Sequence, residues 1–187
     1  IYMVQTRKLK KTRKLKKNKK LKKTRNLKKV KRNNRSRKKQ IKGGASLRDA
    51  SDALKDDREI VMEAVKQSGS ALQYASARLK DDREVVLEAV KQNGMALIYA
   101  SAALQDDREF MLEAVKQHWR ALGYASATLK DDREIVLGAV KQNGHALARA
   151  SNALKDDREV VLEAVKKNAN ALYYASAALQ DDREIVM

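Results

Sequence analysis

Apolar residues return in one pattern along most of the chain. Take Leu54–Tyr74, LKDDREIVMEAVKQSGSALQY. Its opening frame, LxDDRE, recurs at Leu54, Leu79, Leu104, Leu129, Leu154 and Leu179, always 25 residues apart. An exact period with no residue gained or lost predicts a repeat array, one supersecondary unit stacked on itself. Within a unit, Ile60, Val61, Ala64 and Val65 cover an arc of about 140° at helical spacing, and Met62 widens it to about 200°. So wide an arc predicts a helix packed on both sides. Glu63, Lys66 and Gln67 take the wet face.

The helix start is written in polar residues. Asp56 and Glu59 have the spacing of a capping box, and Asp57 adds negative charge where the helix dipole is positive. Gly69 is expected to end the helix in the left-handed conformation that glycine tolerates. Ala71, Leu72, Ala75 and Leu79 then form a narrow stripe of about 100°, which predicts a second, shorter helix. Each unit reads as a helical hairpin of roughly three turns plus two. The fold class is therefore all-α, an α-solenoid-like array of 25-residue helical hairpins. One unit has too few large apolar side chains to offset the entropy of ordering itself, so neighbours must complete its core. The array opens on a half-unit, Leu47–Leu54, which matches Leu72–Leu79 and predicts a terminal cap. The piece 179–187 is too short to hold a helix alone and is expected to fray unless it docks.

Residues 1–43 follow another rule. Leu9, Leu15, Leu21 and Leu27 recur every six residues, which scatters them over three faces of a helix. Of the 42 Lys and Arg, 22 lie here, with no acid among them. Residues 44–187 hold the other 20 and all 24 acids, so the array is slightly acidic although the whole chain carries +18. Low hydropathy and like-charge repulsion predict a disordered tail over residues 3–42, with Gly43 and Gly44 as the hinge. Domains are expected at 1–43 and 44–187, the latter holding five full periods from Leu54 and a truncated sixth.

A one-sign block of this density suits phosphate neutralisation without sequence readout. The candidate polyanion-binding residues are Arg7, Lys8, Lys10, Lys11, Arg13, Lys14, Lys16, Lys17, Lys19 and Lys20 in its first half. Lys22, Lys23, Arg25, Lys28, Lys29, Lys31, Arg32, Arg35, Arg37, Lys38 and Lys39 continue it. Its single aromatic, Tyr2, does not support base stacking. Nuclear targeting, attraction to an anionic membrane surface and plain solubilisation are the other readings of the same charge.

Composition removes several classes. Without Cys there is no disulfide frame, thiolate metal site or thiol nucleophile; without Pro nothing interrupts the helices. No apolar run reaches the length of a membrane span, and the N-terminus lacks the apolar segment of a secretory signal. Ile1 and Tyr2 precede Met3, a plausible start, and Met187 falls mid-unit, which suggests a fragment of a longer reading frame.

The sixfold DDRE could in principle hold a cation or work as acid and base, but both need oxygens converging on one point. Helix capping accounts for the acids, and Arg58 is placed to pair with an acid in an adjacent copy. His118 and His145, at turns of neighbouring units, make a poor zinc site without a third ligand. No metal or cofactor is expected. Candidate partner contacts are the recurring Tyr74, Tyr99, Tyr124 and Tyr174, read either as covers for neighbouring core or as a ladder anchoring a peptide. To them are added Trp119 and Arg120 of the unusual His118-Trp119-Arg120 turn, either binding anchors or drift in one copy. The residue after the turn (Ser70, Met95, Arg120, His145, Asn170) varies, as does the one after Leu (Gln73, Ile98, Gly123, Ala148, Tyr173). In a solenoid such positions are where a partner is read.

The string LKDDREIVLEAVKQNG-x-ALxYAS resembles the repeats called domain of unknown function 4116, seen in protists and large DNA viruses, over about residues 47–187. The resemblance implies no activity and no catalytic residue. Trp119 and Ala169 stand where it has Gly, Gly138 where it has Glu, and Arg149 where it has Tyr. The expected function is a non-enzymatic scaffold whose tail tethers it to nucleic acid or another polyanion while the repeats meet a protein. The alternative is a structural protein of a virion or nucleoprotein assembly, its tail neutralising packaged phosphate. The expected location is intracellular, with the nucleus or a virion as destinations.

Overall fold

The computed structural model describes Lys22, Arg25 and residues 47–186, and the chain divides into residues 1–46 and 47–187. Lys22 and Arg25 are exposed and have helical backbone. The other residues read as a disordered tail, with the glycine hinge, lie outside the described residues. Described residues of the array are helical or loop, with no strand, in units that repeat at the predicted spacing.

Each unit has three helical pieces. The first opens with a ten-residue α-helix, Arg58–Gln67, followed by a 3-10 helix, Gly69–Tyr74, and a one-turn α-helix, Ala77–Lys80. Later long helices are Arg83–Gln92, Arg108–Gln117, Arg133–Val140 and Arg158–Lys167. Long helices stack on long helices and 3-10 helices on 3-10 helices, giving two layers with the core between them. Val85, Val86, Ala89 and Val90 are wholly buried, as are Phe110, Met111, Ala114 and Val115 in the next unit. Met62 and its counterparts Leu87, Leu112, Leu137 and Leu162 are half-buried at the rim, as the wide arc requires.

Three local readings are corrected. The helix cap is Asp57, not Asp56: its carboxylate accepts from the Glu59 and Ile60 amides at 3.1 and 3.3 Å. Asp56 instead closes the preceding short helix and takes the Ser76 hydroxyl of the next unit at 2.6 Å. With two adjacent aspartates, capping spacing alone could not choose between them.

The second helix is not continuous. Ala75 and Ser76 are extended, with ψ of 156° and 158°, and split the stripe from Leu72 to Leu79 into two pieces. The chain leaves the helix there because Ser76 N–H donates to the Lys55 carbonyl of the preceding unit at 2.9 Å. The Ser76 hydroxyl also accepts from the Leu79 amide at 3.3 Å, starting the short helix. Leu72 and Leu79 both remain fully buried, so the stripe was real although the helix was not.

Gly69 does not supply a left-handed turn. Ser68 ends the helix in extended backbone, at φ −154°, and Gly69 is buried as the first residue of the 3-10 helix. A Cβ on Gly69 would overlap the Ala89 carbonyl oxygen of the next long helix, and one on Gly144 would overlap that of Ala164. Glycine serves close approach between units. Trp119 occupies the same position, and the carbonyl 20 residues on belongs to Ala139. There the following helix stops two residues early, at Val140. Gln142 turns back instead, accepting from the Trp119 amide at 3.1 Å and donating to the Val115 carbonyl.

Polar seams tie consecutive units. Ser101, Ser126, Ser151 and Ser176 repeat the Ser76 backbone bond to the preceding unit, at 2.9–3.0 Å. Arg58 reaches Asp82 at 2.8 Å and also Glu84; Arg108 reaches Asp132 at 2.6 Å and Glu134 at 2.7 Å. Arg133 and Arg158 make the same pairs one unit further on each time. The seam between the second and third units is thinner. Arg83 pairs with Asp107 alone and lies over the Phe110 ring at 5.4 Å. Among the described residues, the Ser126 hydroxyl caps Leu129 but meets no carboxylate. The last piece docks: Ile185 is buried, and Asp182 and Glu184 hold Arg158.

Candidate functional site

The DDRE residues are engaged in caps and seams. Burial acts to raise the Asp82 pKa, but the Arg58 hydrogen bond and the Val85 amide outweigh it and hold the carboxyl below its usual range. The same balance holds for Asp132 and Asp157. At Asp56 the Ser76 hydroxyl bond lowers the pKa most, and the Arg78 bond adds to it. No cluster of three or more His, Cys, Asp or Glu that could hold a metal ion exists among the described residues. The histidines are occupied separately. His118 Nδ1 accepts from the Arg120 amide at 3.2 Å, a role Asn93, Asn143 and Asn168 take in other units. His145 Nε2 meets the Asn168 side-chain amide at 2.9 Å. Burial and then the Arg120 charge push the His118 pKa down, which favours the neutral ring whose Nδ1 lone pair serves that cap.

The varying positions all fall on the 3-10 layer. Among the described residues, the exposed large apolar side chains are Met95, Ile98 and Tyr173, at 52%, 56% and 80%, and all three sit at those positions. On the same layer lies a hollow of about 290 Å³ lined by Met95, Trp119, Arg120, Gly123, Tyr124, His145, Ala148, Arg149 and Tyr174. Its depth comes from Gly123 and Ala148, where other units carry Gln73, Ile98 and Tyr173.

Of the residues singled out from sequence, Trp119, Arg120, Tyr124 and Tyr174 are brought together in this hollow. Tyr74 and Tyr99 are half-buried earlier on the same layer and do not line it. Trp119 is itself half-buried rather than free at an exposed turn, and the Arg120 guanidinium lies on its ring at 4.5 Å. His145 meets Tyr174 edge-on at 6.0 Å, and Tyr173 meets Tyr174 the same way at 5.4 Å. Sequence reasoning missed the membership of His145 and Arg149. The signal was present, since each occupies a frame position already marked as varying or departing.

The candidate polyanion-binding residues of the tail lie outside the described residues, except Lys22 and Arg25. No helix among the described residues is long and apolar enough to cross a membrane.

No curated protein and no solved structure matches the chain. One family model does, in overlapping copies over residues 27–80, 57–105, 82–130, 107–155, 132–180 and 157–187. The first match starts inside the Lys-rich stretch, upstream of the residue 47 at which the resemblance was placed. Gly44 and Leu47 are spaced as Gly69 and Leu72 are, so the frame persists there. Arg35, Ser36, Lys39 and Gln40 occupy the places of Ile60, Val61, Ala64 and Val65, so the apolar pattern could not reveal it. Tiled by that model from residue 27 to its end, the chain belongs to the family described as Domain of unknown function (DUF4116).

Proposed function

We propose that this chain is a non-enzymatic interaction scaffold: the basic tail tethers it to nucleic acid or another polyanion, and the 3-10 layer of the array receives a protein partner. One observation carries the reading. The invariant polar residues are spent on caps and seams, whereas the varying residues line an open face that holds the exposed large apolar side chains. Invariance here serves stacking, and variation sits where a partner would touch. The tail supplies affinity by counterion release, without sequence preference. Its 22 cations against no acid suit a phosphate-rich partner, and that chemistry favours an intracellular location, in the nucleus or a virion.

Fluorescence anisotropy with labelled duplex DNA, single-stranded RNA and heparin tests the division of labour. The full chain and a synthetic peptide of residues 1–43 are compared across a salt series. Both are expected to bind all three polyanions and to weaken steeply with salt. A full chain that prefers one nucleic acid, where the tail peptide does not, would show the array reading nucleic acid and would end the proposal.

A further inference from the structure

We infer that the hollow on the 3-10 layer takes an extended acidic peptide of a partner protein, with one or two of its carboxylates against Arg120 and Arg149. This rests on the scaffold reading above and names the chemistry of the partner.

The charge inventory points first. The seam arginines Arg58, Arg83, Arg108, Arg133 and Arg158 all have carboxylate partners, and Arg78 has Asp56 at 3.0 Å. Arg120 and Arg149 have no ion pair among the described residues, although both line the same hollow. His145 lines it too, and no acid does. A guanidinium lying on an aromatic face keeps its edge N–H groups free, and their fork matches a carboxylate. Arg149 stands where four other units have Tyr, so the second cation is a feature of this place and not of the frame.

The surroundings fit a peptide. Exposed Met95 and Ile98 lie on the second unit, toward one end of the hollow, and exposed Tyr173 on the fifth, toward the other. Stacked helices lie about 10 Å apart, so three steps from the second unit to the fifth span about 30 Å. An extended chain at ~3.3 Å per residue crosses that in roughly nine residues. Apolar side chains at its ends would cover Met95, Ile98 and Tyr173, and an acidic centre would meet the arginines. Trp, Tyr and Arg are the residue types that dominate protein interfaces.

A nucleic acid fits less well. Arg120 covers a face of the Trp119 ring, so that face is not open to a base. Residues 44–187 carry more acids than bases, which opposes a long polyanion but not an isolated carboxylate. The chain's own tail cannot be the occupant, because residues 1–43 contain no acid.

The experiment selects nine-residue peptides from a random displayed library on the full chain at physiological salt. Peptides that bind the full-length Arg149→Tyr variant are removed. That variant restores the usual residue of the frame, so it is expected to fold, and it keeps the same tail. Enriched peptides are expected to share one or two central Asp or Glu with apolar neighbours. Their synthetic forms should shift the emission of Trp119, the single tryptophan of the chain. Affinity should drop at least about tenfold with Arg149→Tyr, with Arg120→Ser, or when the peptide acid becomes Gln or Asn. Enriched peptides without carboxylates, or no enrichment over Arg149→Tyr, overturn the acidic-peptide inference and leave the scaffold reading standing. An oligonucleotide that shifts Trp119 emission where acidic peptides do not overturns both.

Discussion

At the residue scale, the second aspartate of DDRE bears on both helix start and seam from the second copy onward. Asp82, Asp132 and Asp157 cap a long helix and receive the arginine of the unit before. Their pKa values lie below the unfolded value, which for aspartate is about 3.9. A carboxyl with a depressed folded pKa stabilises the fold above its unfolded pKa and loses that contribution as pH falls through the folded one. The melting temperature followed by circular dichroism should therefore fall as the pH drops below about 4. A flat profile in that window would mean that the caps and seams contribute no net stability. Gly138 offers an opposite change. It sits inside the Arg133–Val140 helix, and a Cβ there would meet only Val115 Cγ2 at 3.5 Å, an ordinary contact. Gly138→Ala should add about 0.5–1 kcal/mol in urea unfolding, through backbone entropy and helix propensity. A loss of stability would show that the neighbouring Val115 cannot accept even a methyl.

At the scale of the element, the long helix was legible and the segment after it was not. The arc Ile60, Val61, Ala64, Val65 has enough turns for periodicity to speak, and those four residues are buried as the pattern requires. Residues 69–80 hold two short pieces with different twist, and a stripe of four apolar residues fits one α-helix as well as it fits both. What separates them is the Ser76 bond to a carbonyl 21 residues back, a contact that no local window contains. The purpose of Gly69 was hidden for the same reason, since the atom it makes room for lies 20 residues ahead. The hollow was half legible: Trp119 and Arg120 drew notice as departures, while Gly123 and Ala148 matter for side chains they lack. Trp119 also bears on the length of an element, since its amide holds Gln142 just past the early helix end. Trp119→Gly should let the fourth long helix continue toward Gln142 and raise the melting temperature by about 2–4 °C. A fall would mean that the packing of the indole outweighs the two lost helical residues.

At the scale of the whole molecule, the array is a row of nearest-neighbour contacts in a fixed frame. Removing residues 82–106 joins Asp81 to Asp107 and presents Arg58 with the acceptor that Arg83 had. The shortened chain should fold, with a lower urea m-value and a lower melting temperature, because both follow the surface buried and the number of interfaces. Removing 82–107, one residue more, also takes away the Asp107 cap and slips the frame at that one junction, and should lower the melting temperature further than the 25-residue deletion does. Equal behaviour of the two deletions would mean that the seams do not set the register.

The uneven seams have a mechanical consequence. Pulled from its two ends, the array carries its load across the junctions in series, so the weakest one yields first. Among the described residues, the junction joined by the fewest polar links is that between the second and third units, where Arg83 has one carboxylate and Ser126 none. Yielding there would draw Met95 away from Trp119 and Arg120 and spread the hollow at one wall. Tension along the array would thus widen the hollow before any unit unravels.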